Sequence, residues 1–314
     1  MPDRFKNITV GFDFSRGSAL ALEAGFALAK QFGARITVTT SVPRALDPEL
    51  LSALESQHAE ATKLLRGAAV LADAEKIVRE AVERLRPPEI EVDYDMGELP
   101  VDSQLNQSAF QTGADLIVVG ATGMEGGEEA IIGRDTERLI RRSSVPVLVI
   151  KDTMAALPKK IMCATDFSEA SERAFELALA FARAFGARLD IVHVVSGPSK
   201  SMRKIFGRGY PEGFIESAAA LGSQELDEFI EKFDTNGVQL GREVIFGAPW
   251  WEILSATRAS GAELLVLGSL GRSAVKELLI GGTAERVIRA LPTSLLAVKP
   301  DSFVIDLEKG SGAI

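Results

Sequence analysis

The chain is poor in the side chains that most often do chemistry. It has a single cysteine, two histidines, two tryptophans and two tyrosines in 314 residues. One cysteine excludes an intrachain disulfide, and the natural setting for it is a reducing compartment. Cys163 falls in an apolar, strand-like run and reads as a small core residue. His58 and His193 are far apart in sequence, so with one thiol there is no conventional zinc set, and no Ser/His/Asp trio stands out. Neither Gly-x4-Gly-Lys-Ser/Thr nor Gly-x-Gly-x2-Gly occurs, which disfavours a P-loop ATPase and a dinucleotide enzyme. No apolar run approaches the roughly 20 residues that span a bilayer. Met1-Pro-Asp-Arg-Phe-Lys has no apolar targeting region, so the expected location is the cytoplasm. Positive charge is the minority sign: 35 Lys and Arg against 44 Asp and Glu give a net charge of -9. A surplus of negative charge speaks against broad binding to nucleic acid or to anionic membrane.

What the chain does have is an internal repeat. Asp13–Arg35 reads DFSRGSALALEAGFALAKQFGAR and Asp166–Arg188 reads DFSEASERAFELALAFARAFGAR, identical at 12 positions at a constant offset of 153. Glu137-Arg-Leu-Ile-Arg141 aligns with Glu285-Arg-Val-Ile-Arg289 at an offset of 148. A hydrophobic content of 46% supports a proper core in each copy. The expected domains are therefore 1–153 and 154–314.

Both copies parse alike. Short apolar strands begin at Ile8 and Ile161. Asp13 with Ser15, and Asp166 with Ser168, supply cap chemistry for helices that run to Gly33 and Gly186. β-Branched second strands follow at 34–42 and 187–195. A polar helix is expected over about Pro48–Leu85 in copy one and Ala218–Phe233 in copy two, followed by third strands at Ile90–Tyr94 and Arg242–Phe246. A helix after Pro100 or Pro249, a fourth strand at Leu116 or Leu264, a glycine loop, a helix and a last strand complete each unit. Strands alternating with helices predict a doubly wound α/β fold, with five parallel strands per copy in the order 3-2-1-4-5. In such a sheet the ligand crevice opens between strands one and four, which places Asp13 beside Gly120 and Asp166 beside Gly268.

In copy two the fourth strand opens into Gly268-x2-Gly271-x9-Gly281, followed by Gly282 and Thr283 ahead of a helix. The free N–H groups and the positive dipole end of that helix favour an anion in the loop. This spacing resembles the ATP-binding signature of the universal stress protein family, G-x2-G-x9-G-[S/T]. It departs where Gly282 stands in place of the hydroxyl residue, which puts that side-chain contact in doubt and leaves the backbone cradle intact. The resemblance covers nearly the whole chain: each half carries the strand ending Asp-Phe-Ser, the Phe-Gly-Ala-Arg helix end, a Gly-x-Pro-like turn (Gly247–Pro249, and Gly97–Pro100 with one residue more), the glycine loop and the closing helix.

The resemblance implies a tandem member of the family with the adenine nucleotide alpha hydrolase-like fold. It implies ATP or a related adenine nucleotide as ligand, with magnesium as an accompanying ion and slow hydrolysis as the most that catalysis would amount to. The implied contacts in copy two are Asp166 and Val194 toward the adenosine, with Gly268, Ser269, Leu270, Gly271, Arg272, Ser273, Gly281, Gly282 and Thr283 around the phosphates. A weaker second site falls on Asp13, Ser41, Gly120, Gly123, Gly133 and Arg134. Arg272, Lys276 and Glu277 give the copy-two loop a charge of +1, whereas Glu125, Glu128 and Glu129 give the copy-one loop -3. A triphosphate is thus expected mainly in copy two. Arg134 stands where the family has Ser or Thr and offers copy one a counter-charge.

The implied role is stress-response regulation through unidentified protein partners, with the halves paired by a pseudo-two-fold through their last strands and a homodimer expected. The alternative is a scaffold or small-ligand protein whose crevice holds no nucleotide. His193 reads as a strand residue, with Thr40 as its counterpart. The basic, glycine-containing stretch 196–213 reads as a variable loop or a lid, and the tail after Pro300 has strand-like content.

Overall fold

The computed structural model describes residues 5–42, 71–123, 132–151, 157–197, 213–272 and 280–303, and among them the backbone alone of 71–74. Two compact units follow the repeat, one over residues 1–157 and one over 158–302. In the first unit β1 (Asn7–Gly11), α1 (Arg16–Phe32), β2 (Arg35–Ser41), α2 (Leu71–Glu83), β3 (Val92–Gly97), α3 (Val101–Thr112), β4 (Leu116–Gly120), α4 (Arg134–Arg142) and β5 (Val147–Ile150) succeed one another. The second unit repeats the series with β6 (Lys160–Thr165), α5 (Glu169–Phe185), β7 (Arg188–Ser196), α6 (Phe214–Ile230), β8 (Gln239–Gly247), α7 (Pro249–Ser260), β9 (Leu264–Gly268), α8 (Gly282–Ala290) and β10 (Ser294–Val298).

Strands within each unit are parallel. The first sheet runs β3-β2-β1-β4-β5 and the second β8-β7-β6-β9-β10, which is the 3-2-1-4-5 order in both. Central strands are apolar on both faces because helices cover both: Ile8, Val10, Leu116–Val118, Ile161, Cys163 and Leu264–Val266 are almost inaccessible. Apolar residues recur every three or four positions in α1 (Ala21, Leu22, Phe26, Ala29) and in α5 (Ala174, Phe175, Ala178, Ala182), giving each helix one stripe to lay on its sheet. A fully buried Phe or Leu on such a stripe contributes about 1.5–3 kcal/mol. Both helices stop at a glycine in the left-handed region, Gly33 at φ 67° and Gly186 at φ 60°, which a Cβ would disfavour.

Three boundaries differ from the sequence reading. β3 starts at Val92 and not at Ile90, because Pro87 and Pro88 turn the chain and the Ile90 N–H closes that turn on Pro87 O at 3.1 Å while its side chain drops into the core. β8 runs on both sides of Arg242–Phe246, since it is the outermost strand of its unit and its polar, exposed residues pair with β7 in register from Gln239 to Gly247. α6 begins at Phe214 after the left-handed Gly213, four residues before the expected start. Of the polar helix expected over Pro48–Leu85, the described part is α2. The 198–212 stretch, residues 304–314, His58 and Ser273 lie outside the described residues.

Candidate functional site

Both units build the same corner at the carboxyl end of their first strand. In the second unit Ser168 caps α5, its Oγ accepting from the Ser171 N–H. Asp166 does not cap the helix itself. It braces the cap, with Oδ1 accepting from the Ser168 N–H at 3.1 Å and from the Ser168 hydroxyl at 2.5 Å. Its other oxygen, Oδ2, accepts from the Arg272 N–H at 3.1 Å and so ties the end of β6 to the glycine loop. Asp13 holds Ser15 in the same way, at 3.0 and 2.6 Å. Between aspartate and serine, Phe14 and Phe167 sit at φ 66° and 61°, a left-handed conformation uncommon for a bulky residue. Sequence reasoning had no signal for that strain beyond the repetition of Asp-Phe-Ser.

The glycines divide into two kinds. Gly268 ends β9 directly under the first turn of α5, where a Cβ would lie 2.9 Å from the Ala170 carbonyl carbon and the Ser171 nitrogen; Gly120 meets Gly17 still more closely, at 2.5 Å. These two let a helix approach a strand. Asp166 therefore faces not Gly268 but Gly271, whose Cβ would stand 2.4 Å from Asp166 Oδ2, and Asp13 faces Gly123 at 2.5 Å. The expected pairing shifts by three residues because the strand-end glycine is spent on helix packing and the loop reaches the carboxylate only afterwards.

Gly281 and Gly282 are of the other kind. Gly281 caps α8 at an ordinary φ of -79°, its N–H donating to Ser269 O at 2.8 Å, and among the described residues nothing lies within 4 Å of a Cβ placed on Gly282. The fold does not need a glycine there, since Arg134 holds the equivalent place in the first unit at the start of α4.

Beside Gly282 a cavity of about 430 Å³ spans the carboxyl ends of β9, β6 and β7. Gly271, Arg272, Gly281, Gly282 and Thr283 line one end, Asp166 the middle, and Val194 and His193 the other. Ile253 of α7 and Gly222 of α6 complete the walls. Gly268 also touches the cavity. Ser269 and Leu270 do not serve as liners: Ser269 is buried, with its hydroxyl on Val298 O at 3.2 Å, and Leu270 presents its carbonyl to Ser168 Oγ at 3.4 Å.

The Arg272 guanidinium sits 5.1 Å over the Phe167 ring, whose centroid stacks 4.2 Å from the His193 imidazole. His193 is thus a cavity residue and not merely a strand residue. Its companions Ile253, Gly222 and Phe167 were not foreseen, as nothing in their local spacing marks them.

The first unit keeps the backbone and changes the side chains. The Gly133 N–H donates to Ala121 O at 2.7 Å, matching Gly281 and Ser269. The first turn of α4 already carries Asp135 and Glu137, beside Arg134. Leu105 holds the place of Ile253 and is buried like it; one residue earlier Gln104, the counterpart of Glu252, is buried with Nε2 donating to Asp95 at 3.0 Å and its amide packed against Gly97. Ser41 donates to Leu99 O at 2.5 Å, and Thr40 stands at the place of His193. Among the described residues no group of three or more His, Cys, Asp or Glu could hold a metal ion, and no helix is long and apolar enough to cross a membrane.

Repeated open sheets with a glycine-bounded cavity at the strand switch define a tandem α/β protein of the nucleotide alpha hydrolase-like fold. The sequence profile of the universal stress protein family matches residues 4–151 and again 158–299, and the chain belongs to that family. It is 30% identical over 145 residues to the universal stress protein YxiE of Bacillus subtilis, covering 45% of this chain and 98% of that one. To the universal stress protein Rv2623 of Mycobacterium tuberculosis it is 24% identical over 239 residues, 74% of this chain and 76% of that one. Among solved structures, a universal stress protein from Archaeoglobus fulgidus superposes with a TM-score of 0.64 at 19% identity, covering 96% of this chain and 98% of that one.

Proposed function

We propose that the second unit binds ATP or a related adenine nucleotide and that its occupancy, rather than turnover, is the output read by protein partners. The observation that carries this reading is Gly282. Among the described residues nothing gives it a steric reason to be glycine, its φ is not in the left-handed region, it opens α8, and it borders the cavity. Open space beside helix N–H groups, with Arg272 at the loop entrance and two small residues in the first turn, is what a phosphate requires. The strand order supports the other end. From β9 to β7 is two strand spacings, about 10 Å, the same order as the reach from a nucleotide's phosphates to the far edge of its base. Phosphates at α8, sugar over Asp166 and base against Val194 would fill the cavity from end to end.

For the first unit a nucleotide-free crevice is the better reading, because α4 carries Asp135 in its first turn where α8 has Thr283, one carboxylate beyond the pair Glu137 and Glu285 that the two helices share. The test is a calorimetric ATP titration of the whole chain, wild type and Gly271→Glu, after mass spectrometry of small molecules released from the freshly purified protein. One site per chain, lost in the variant, is the expected result. No binding at millimolar ATP would overturn the proposal.

A further inference from the structure

The imidazole of His193 is fixed at one edge and open at the other. Nδ1 lies 2.9 Å from the carbonyl oxygen of Thr165, an atom that only accepts, so Nδ1 carries the hydrogen. In the neutral ring Nε2 is then a bare acceptor. The ring cannot swing away, because Phe167 stacks on its face and the Phe167 N–H is in turn held by Thr165 Oγ1 at 3.0 Å. The Cδ2 edge, next to Nε2, is turned to Gly222, where a Cβ would come within 3.6 Å of Cδ2. Nε2 has no hydrogen-bond partner among the described residues and is not a sealed atom; the residue borders the cavity.

Thr40 of the first unit makes the same tie, Oγ1 to Phe12 O at 2.8 Å, so holding the strand end does not call for an imidazole. What histidine adds over threonine is the stacked ring and a second nitrogen at the cavity.

We propose that His193 is a specificity-determining residue of the second unit, its Nε2 accepting a hydrogen bond from the exocyclic amine of a bound adenine. The inference rests on the nucleotide reading above and deepens it. The base end of the cavity is the β7 end, where Val194 lies beside His193 among the lining residues. An acceptor at that wall favours a base with an amine at the six position and opposes one with a carbonyl oxygen there, since two lone pairs would face each other. A site built around one such hydrogen bond rejects the mismatched ligand because the protein atom is left unpaired.

The experiment compares ATP with inosine triphosphate, which differs in presenting a six-position oxygen and a ring N–H, and with purine riboside triphosphate, which carries no group at that position. Wild type and His193→Thr are titrated as whole chains; threonine is the residue the first unit already carries, and an unchanged melting temperature checks that the fold is kept. Wild type is expected to favour ATP by about tenfold or more over both analogues, and His193→Thr to bring the three affinities together by weakening ATP and relieving the repulsion of inosine triphosphate. ATP binding with the same preference in His193→Thr would overturn the role of His193 and leave the nucleotide reading standing. A wild type that prefers inosine triphosphate would overturn the assignment of Nε2 as acceptor. No binding of any of the three would overturn the nucleotide reading and this inference with it.

Discussion

The two crevices share a skeleton and differ in what lines it. Aspartate braces a serine cap, a phenylalanine sits at positive φ, and the loop glycine meets the aspartate in both units. The side chains that decide what enters are not shared. Gly282 and Thr283 stand against Arg134 and Asp135, and His193 against Thr40. The lesson is that folding fixes the close-approach backbone, whereas charge at the helix start is free to diverge. A family resemblance carried by glycines therefore says more about the scaffold than about occupancy.

The comparison breaks most readily at the helix start. Thr283→Asp copies Asp135 into the first turn of α8, where the carboxylate takes over the dipole end and repels a phosphate. ATP affinity should fall about tenfold or more. Gly282→Arg copies Arg134 and tests the opposite possibility. If calorimetry shows the arginine strengthening ATP binding, Arg134 is a phosphate contact and the two units are more alike than their charges indicate. If binding falls, bulk at this position excludes the ligand, as the open space beside Gly282 implies.

A second contrast lies between glycines of one loop. Gly268→Ala would push a methyl to 2.9 Å from the backbone of α5, and Gly120→Ala to 2.5 Å from that of α1, so each should destabilise its unit by about 2 kcal/mol. Gly282→Ala meets nothing among the described residues and should leave stability within about 1 kcal/mol, on the favourable side. Thermal denaturation of the three variants separates packing glycines from ligand glycines. Equal losses in all three would remove the argument drawn from Gly282.

Much of this was legible in the chain, and the reasons are local. The repeat, the strand order and the cap serines follow from periodicity and from short-range chemistry, which is why both sheets came out in the expected order. The loop glycines were legible as a cradle, but their division was not: whether a glycine faces a helix backbone, as Gly268 does, or open space, as Gly282 does, depends on contacts with residues about a hundred positions away or more. The same holds for His193. Its neighbour Phe167 is 26 residues off in sequence, and only the crossover from β6 through α5 to β7 stacks the rings. β3 was misplaced by two residues because an apolar Ile90 looks the same to periodicity whether it pairs in a strand or plugs the core from a turn.

Removing the serine caps sharpens the shared half of the comparison. Ser168→Ala and Ser15→Ala each delete a side-chain acceptor for an N–H in the first turn of a long helix and the hydroxyl that the aspartate holds. Each should cost about 1 kcal/mol. Equal losses measured by denaturant unfolding would confirm that the two corners are the same device. A markedly larger loss at one of the two would show that the corners are not equivalent devices.

The smallest effect is expected at Cys163, whose place in β1 is held by Val10. Both side chains are completely inaccessible at the centre of their sheets, between strands on either side. Burial alone pushes the Cys163 thiol far up from its ordinary value, so thiolate is scarce even in alkaline solution. Cys163→Val should therefore change stability by less than about 1 kcal/mol and leave ATP binding untouched. The native thiol should resist a thiol reagent until denaturant is added. Rapid labelling without denaturant would mean that β6 opens locally, and since β6 ends at Asp166 the second cradle would then be mobile.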